Sequence, residues 1–165
     1  MDYYDQISKG YNELHRGEQL NKMSIIKSNI KITKGSKVLD VGCGTGISSD
    51  FDCFAVGIDP SIKLLKQNKR LKINSAAENL PFKDRTFDFV VSVTSIHNFN
   101  DLGKAIGEIK RVGKNNFVFS VLKKSEKLRG IMGAIKKDFR IKMAIEEEKD
   151  LIFFCEKREK HKVYI

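Results

Sequence analysis

A chain of 165 residues with 41% hydrophobic and 32% charged side chains has the size and composition of one soluble domain with its own core. It contains no run of 18 apolar residues for a membrane-spanning helix, and Met1-Asp2-Tyr3-Tyr4-Asp5 is too polar for a secretory signal, so no membrane role is expected. The formal charge of +10 fits a phosphate-bearing partner and equally fits a lysine-heavy composition, with 24 lysines against 7 arginines.

Cys43, Cys53 and Cys155 are odd in number and form no C-x-x-C pair, with only His15, His97 and His161 as helpers. The expectation is reduced thiols in a cytoplasmic protein and no metal site.

The N-terminal segment reads as helix. Tyr4, Ile7, Tyr11 and Leu14 recur at helical spacing, and Leu20, Met23, Ile26 and Ile30 continue the stripe after a break expected near Gly17. Most of these residues are expected to pack. Tyr3, Tyr4 and Tyr11 concentrate rings and hydroxyls on this one segment, which suits a lid over a pocket.

Lys37 to Val41 is short, apolar and β-branched, as an interior strand requires, and runs into Gly42-Cys43-Gly44-Thr45-Gly46. Glycines directly after a strand allow a tight turn and close approach of a ligand to the backbone. A dinucleotide fingerprint would need glycine where Ile47 stands, and a P-loop would need a Gly-Lys-Ser/Thr that is missing. Asp40, two residues ahead of the first glycine, would repel a pyrophosphate and attract an amine, so a ligand positively charged near the loop is expected.

Ile47 to Asp52 leaves room for only about one and a half helical turns before the strand expected at Cys53–Ile58. Asp59 follows that strand and is placed to take ribose hydroxyls. Ser61 caps a helix expected to reach Lys69, and Leu71–Asn74 forms a short third strand. Ser75 to Phe82 is a loop, Phe87–Val93 an apolar strand, and Thr94 to Phe99 the segment after it.

Asp101 caps a helix carrying Leu102, Ile106 and Ile109. Asn116–Leu122 is strand five, and Ser125–Ile135 is helical. Phe139 to Ile145 alternates cleanly and, across an acidic connection, pairs with Leu151–Cys155 as an antiparallel ending. Eight basic residues lie between Lys123 and Lys142 against Glu126 and Asp138 alone, and with Phe139 the one aromatic residue in the stretch no set of stacking rings is interleaved with them.

This order predicts an α/β, three-layer doubly wound Rossmann-like sheet, mostly parallel, with a C-terminal antiparallel strand pair and N-terminal helices. Residues 1–165 form a single domain, with 1–34 as a helical lid, 35–157 as the core and 158–165 as a charged tail. Val38–Gly46, Val56–Ser61, Ala77–Phe82 and Phe87–Phe99 resemble the successive motifs of class I S-adenosylmethionine-dependent methyltransferases, in particular the type 11 or ubiquinone-biosynthesis-like group.

The resemblance implies S-adenosylmethionine as cofactor. Gly42, Cys43, Gly44 and Gly46 would wrap its methionine part, with Asp40 near the amino group. Asp59 would hold both ribose hydroxyls, and Ile58 and Pro60 would flank the adenine. Ala77 would contact the ring through its backbone, with Glu78 beside it, and Ala76 replaces the aspartate usual in that loop. Thr94 opens the segment beside the sulfonium, where His97 is a candidate base and Asn98 a candidate for orienting substrate.

No Asn-Pro-Pro-Tyr type motif follows strand four, which disfavours exocyclic or amide nitrogen acceptors of that class, and no cysteine stands where a ring-attacking nucleophile would. The chain has no insertion to build a cap over the pocket. An open site and a basic face suit an RNA or an RNA-associated protein as acceptor, with a partner subunit completing the site. The alternatives are a small-molecule methyltransferase with the N-terminal tyrosine helix as lid, and a noncatalytic cofactor-binding scaffold.

Overall fold

The computed structural model describes Gln6 and residues 10–158. Helix α1 (Tyr11–Asn29) leads into β1 (Lys37–Val41), a 3-10 turn at Ile47–Ser49, β2 (Phe54–Asp59), α2 (Ile62–Gln67) and β3 (Lys72–Asn74). Then follow β4 (Phe87–Val93), a 3-10 turn at Ile96–Asn98, α3 (Leu102–Val112), β5 (Gly113–Leu122), α4 (Leu128–Asp138), β6 (Phe139–Glu146) and β7 (Asp150–Lys157). The seven strands form one sheet in the order β3-β2-β1-β4-β5-β7-β6. β1 to β5 pair parallel, and β7 enters antiparallel between β5 and β6, as the alternating tail predicts.

The two faces of the sheet bury different sets of side chains, because successive residues of a strand point to opposite sides. Leu39, Val41, Val56, Ile58 and Val90 meet Ile106 and Ile109 of α3 and Ile131 and Ile135 of α4. Val38, Phe89, Val91 and Val118 meet Met23 and Ile26 of α1. The interior strands read as unbroken apolar runs because both faces are covered.

Three expectations shift. Helix α1 runs through Gly17 without the expected break, since packing of Met23 and Ile26 outweighs a glycine cost of roughly 1 kcal/mol. The stripe that is buried is Gln19, Lys22, Met23 and Ile26, while Leu20 is 48% exposed. The first crossover is shorter than a helix, a single 3-10 turn. Tyr3 and the tail from residue 159 lie outside the described residues, as does the side chain of Tyr11, whose main chain opens α1.

Candidate functional site

A cleft opens at the carboxyl ends of β1, β2 and β4, where the sheet order reverses direction, the place at which doubly wound sheets bind ligands. Gly42 and Gly44 form one wall, Ile58 to Ser61 and Leu64 the second, Ala76 to Glu78 the third, and Val93 to Ser95 with Asn98 to Asn100 the fourth. Of the residues expected there, Gly42, Gly44, Asp59, Pro60, Ala77, Glu78, Thr94 and Asn98 come together. Asp40, Cys43, Gly46 and His97 stand outside the lining.

The glycine loop is tied down by backbone. The N–H groups of Gly42 and Cys43 both donate to the carbonyl of Ile58, at 2.8 and 2.9 Å. Gly42 sits at φ 80°, in the left-handed region, and a Cβ on it would run into the Ser95 side chain. Gly46 has a different duty from the one its spacing suggests: at φ 91° it presses against the Asn68 amide, away from the cleft.

Asp59 fastens the two sides of the cleft. Its Oδ2 accepts from Gly44 N–H at 2.9 Å and its Oδ1 from Ser61 N–H at 2.8 Å. Each carboxylate oxygen has capacity for more than one donor, so a group fixed in this way suits a pair of neighbouring hydroxyls. Beside it Ile58, Pro60, Leu64 and Ala77 supply apolar walls for a planar ring. The donors and walls present therefore fit a nucleoside. Glu78 uses its Oε1 to accept from the N–H groups of Asn100 and Asp101, at 2.7 and 3.0 Å, clasping the third wall to the fourth.

Asp40 is fully buried on the α1 side of the sheet, where Ser48 and Ser49 donate their hydroxyls to its Oδ2 at 2.7 and 2.6 Å. Its Oδ1 receives no hydrogen bond. Burial pushes this carboxyl up to about 6, against the two serine bonds, which lower it, and with a smaller push from Asp59. A carboxyl that holds its proton more tightly folded than unfolded stabilises the fold below about pH 4, and that stability is lost as pH rises through 6. Asp40→Asn is expected to flatten the fall in thermal stability between pH 4 and 6 and to melt higher than the parent at pH 8, read by calorimetry across that range.

Cys43 points toward β2, where its sulfur occupies the space a Cβ on Gly57 would need and meets the Asn68 amide at 3.5 Å. Burial, and then the charges of Asp40 and Asp59, drive its thiol far above the ordinary range, so it is no nucleophile at neutral pH. Among the described residues no group of three or more His, Cys, Asp or Glu is arranged to hold a metal, and no helix is long and apolar enough to cross a membrane.

His97 stands behind Asn98. The Asn98 amide lies 3.2 Å from His97 Nε2, and the His97 carbonyl accepts from Lys127 Nζ at 3.0 Å. Burial lowers the imidazole's proton affinity, Asp150 opposes that, and Lys127 and Lys22 add to it.

One functional cluster escaped the motif reading. Lys22, 1% exposed, reaches from α1 to Asp150 at 3.1 Å and donates to Thr94 Oγ1 at 2.9 Å. Thr94 donates to Asp150 Oδ2 at 2.8 Å, Ser120 donates to the same oxygen, and Thr94 N–H bonds the Ser120 carbonyl at 3.2 Å. This network holds Thr94 at φ 52°, a conformation costly for a β-branched residue, on the wall of the cleft. The signal in the sequence was Gln19 and Lys22 standing on the same helical stripe as Met23 and Ile26.

A family model described as methyltransferase domain matches residues 39–121, half of the chain. The uncharacterized protein MJ1252 of Methanocaldococcus jannaschii is 34% identical over 160 residues, covering 92% of this chain and 63% of that protein. The demethylmenaquinone methyltransferase of Renibacterium salmoninarum is 32% identical over 124 residues, 67% of this chain and 52% of that enzyme. The chain thus spans less than two thirds of the length of these relatives. A solved complex between the Haloferax volcanii Trm112 methyltransferase activator and a putative methyltransferase superposes with a TM-score of 0.79 at 14% identity, covering 94% of this chain and 98% of that one, which shows the shared fold. With the family match running from the middle of β1 almost to the end of β5, the chain belongs to the class I S-adenosylmethionine-dependent methyltransferases, in the methyltransferase domain family.

Proposed function

We propose that this chain transfers a methyl group to an oxygen or nitrogen nucleophile carried on RNA. When bound, S-adenosylmethionine supplies an electrophilic methyl group on sulfur. Asp59 would hold its ribose, Ile58, Pro60 and Ala77 its adenine, and the Gly42–Gly44 backbone its methionine end. The chain's own contribution is then alignment: holding a nucleophile close and in line supplies much of the acceleration in such a displacement. Asn98 on the fourth wall orients the acceptor, and His97 behind it holds the Asn98 amide in place.

The observation that carries the RNA reading is a band of unpaired basic side chains starting at the cleft. Lys127 sits on the His97 carbonyl at the rim, and Lys124, Arg129, Lys136 and Lys137 are exposed and, among the described residues, meet no carboxylate within ion-pair distance. Their neighbours Lys123, Arg140 and Lys142 are paired with Glu146 and Glu156 and do not contribute. Lys136 and Lys137, neighbours in the chain, lie about two turns beyond Arg129 along α4, with the exposed Gly130 and Gly133 between them allowing close approach of a phosphate backbone.

Reversing Lys127, Arg129 and Lys136 to glutamate together is expected to lower methylation of unmodified tRNA or rRNA at least tenfold, and to reduce the salt dependence of binding by roughly two to three counterions. Tritium transfer from labelled cofactor reads the first, and filter binding between low and moderate salt the second. Transfer to RNA that ignores all three reversals would sink this reading.

The similarity to a demethylmenaquinone methyltransferase favours a second reading, a small aromatic acceptor bound in the same cleft. Turnover of such an acceptor with no RNA present, unaffected by the reversals, would establish it. The fold neighbour solved with an activator protein supports a further element of the proposal, that this chain works with a protein subunit.

A further inference from the structure

The free edge of the sheet at β3 is built unlike a solvent-facing surface. Strand β3 is three residues long, pairs only with β2, and has every residue exposed. Its backbone directions follow from two hydrogen bonds. Gly57 N–H donates to the Leu71 carbonyl and Ser75 N–H to the Asp59 carbonyl, at 2.9 and 3.2 Å, so the odd-numbered residues turn their peptide groups toward β2. The N–H and C=O of Lys72 and Asn74 therefore point outward, as a template for another strand.

The side chains beside that template are apolar. Ile73 pairs in register with Ile58, which puts Leu71 and Ile73 on the sheet face of Val56 and Phe54. Leu71 is 55% exposed, Phe54 52% and Ile73 37%. These three are uncovered because the connection from β3 to β4 lies as turns, with no helix over this corner of the sheet. A lysine at position 72 alone would read as protection of a bare edge against aggregation. Protection does not call for three large apolar groups flanking it.

Charge decides what covers this edge. From Ser61 through Ala77 there are five basic residues, Lys63, Lys66, Lys69, Arg70 and Lys72, and no acid. Among the described residues only Arg70 of these five has an ion-pair partner, Asp50. Two copies of this chain set edge to edge would oppose Lys69, Arg70 and Lys72 with their own like charges, which destabilises cross-strand pairing.

We propose that the β3 edge is the docking site for a protein partner that adds a strand rich in acidic and apolar residues, with main-chain bonds to Lys72 and Asn74 and apolar contacts to Phe54, Leu71 and Ile73. The inference rests on the subunit part of the function proposed above. Its test reads binding alone, so it can fail while methyl transfer stands, or hold if the acceptor proves to be a small molecule.

The probe is a blocked synthetic peptide of about ten residues alternating glutamate with valine and isoleucine, a length that spans the three-residue strand and its flanks. Its counterpart carries lysine for glutamate. Hydrogen exchange of the full chain is expected to slow about tenfold at the Lys72 and Asn74 amides with the acidic peptide and not with the basic one. Lys72→Pro removes one outward donor without touching the ladder to β2, and Leu71→Glu places a charge on the apolar step. Both should abolish the protection while leaving the affinity for S-adenosylhomocysteine, measured by calorimetry, as in the parent. No protection by the acidic peptide, equal protection by both peptides, or loss of cofactor-product binding in both variants overturns the proposal. A dimer in sedimentation equilibrium that Leu71→Glu dissolves also overturns it, by making a second copy the occupant.

Discussion

Asp59→Ala is expected to raise the dissociation constant for S-adenosylhomocysteine by roughly a hundredfold, with a smaller loss of fold stability. A carboxylate receiving two hydroxyls makes two charge-assisted hydrogen bonds, each worth about 1.5–3 kcal/mol, and a hundredfold change needs about 2.7 kcal/mol. The same side chain fixes Gly44 and Ser61 by their amides, so removing it also loosens Gly44, with the loop still tied to β2 through the Gly42 and Cys43 amides on the Ile58 carbonyl. Asp59→Asn separates the two effects. It keeps one acceptor oxygen and the approximate shape, and should lose closer to tenfold in affinity while melting near the parent. Titration calorimetry and a thermal melt on the same preparations read both quantities. An unchanged dissociation constant in Asp59→Ala would remove the ribose assignment.

Where the fold was legible, the reason was period. Strands such as Phe87–Val93 are covered on both faces and therefore read as continuous apolar runs, while β6, on the open edge, alternates, its bulge between Ile141 and Met143 turning Phe139 and Ile141 to the α3–α4 side and Ile145 to the α1 side. Caps were legible for a local reason: Ser61 and Asp101 accept from the amides of Leu64 and Lys104, contacts three residues apart. Side-chain direction at the site was not legible. Asp40 and Asp59 flank one loop and, since Asp40 pairs in register with Gly57, share one face of the sheet, yet Asp40 lies beneath Ser48 and Ser49 while Asp59 ends its strand on the cleft. Gly46 fits the same alternation as Gly42 but serves the packing of Asn68, which lies 22 residues on. Long-range partners leave no mark in local spacing. Lys22 and Asp150 are 128 positions apart, and in their local sequence they are merely a lysine within a helix and an acid at the end of an acidic turn.

Asp150→Ala is the substitution expected to cost the fold most. Lys22 and Asp150 are 1% and 0% exposed, so deleting the carboxylate leaves an ammonium with no anion in a dry interior, a loss of about 3–5 kcal/mol. That is a large part of the roughly 5–15 kcal/mol available to a domain of this kind. It also removes the acceptor shared by Thr94 and Ser120. Lys22→Met in the same chain takes away the stranded charge and keeps an unbranched apolar stem in its place, so the double variant should recover most of the loss. Urea unfolding of the parent, both single variants and the double variant forms a closed cycle, with a coupling between the sites of about 2–3 kcal/mol expected. Recovery of stability need not restore the site. With Asp150 absent, nothing holds Thr94 Oγ1 from the β7 side, and φ of 52° is no longer the favoured state of a residue that forms the cleft wall. The double variant should therefore fold and still bind S-adenosylhomocysteine more weakly than the parent. If it bound as tightly, the ion pair would be an anchor for α1 alone, with Thr94 held by Ser120 independently.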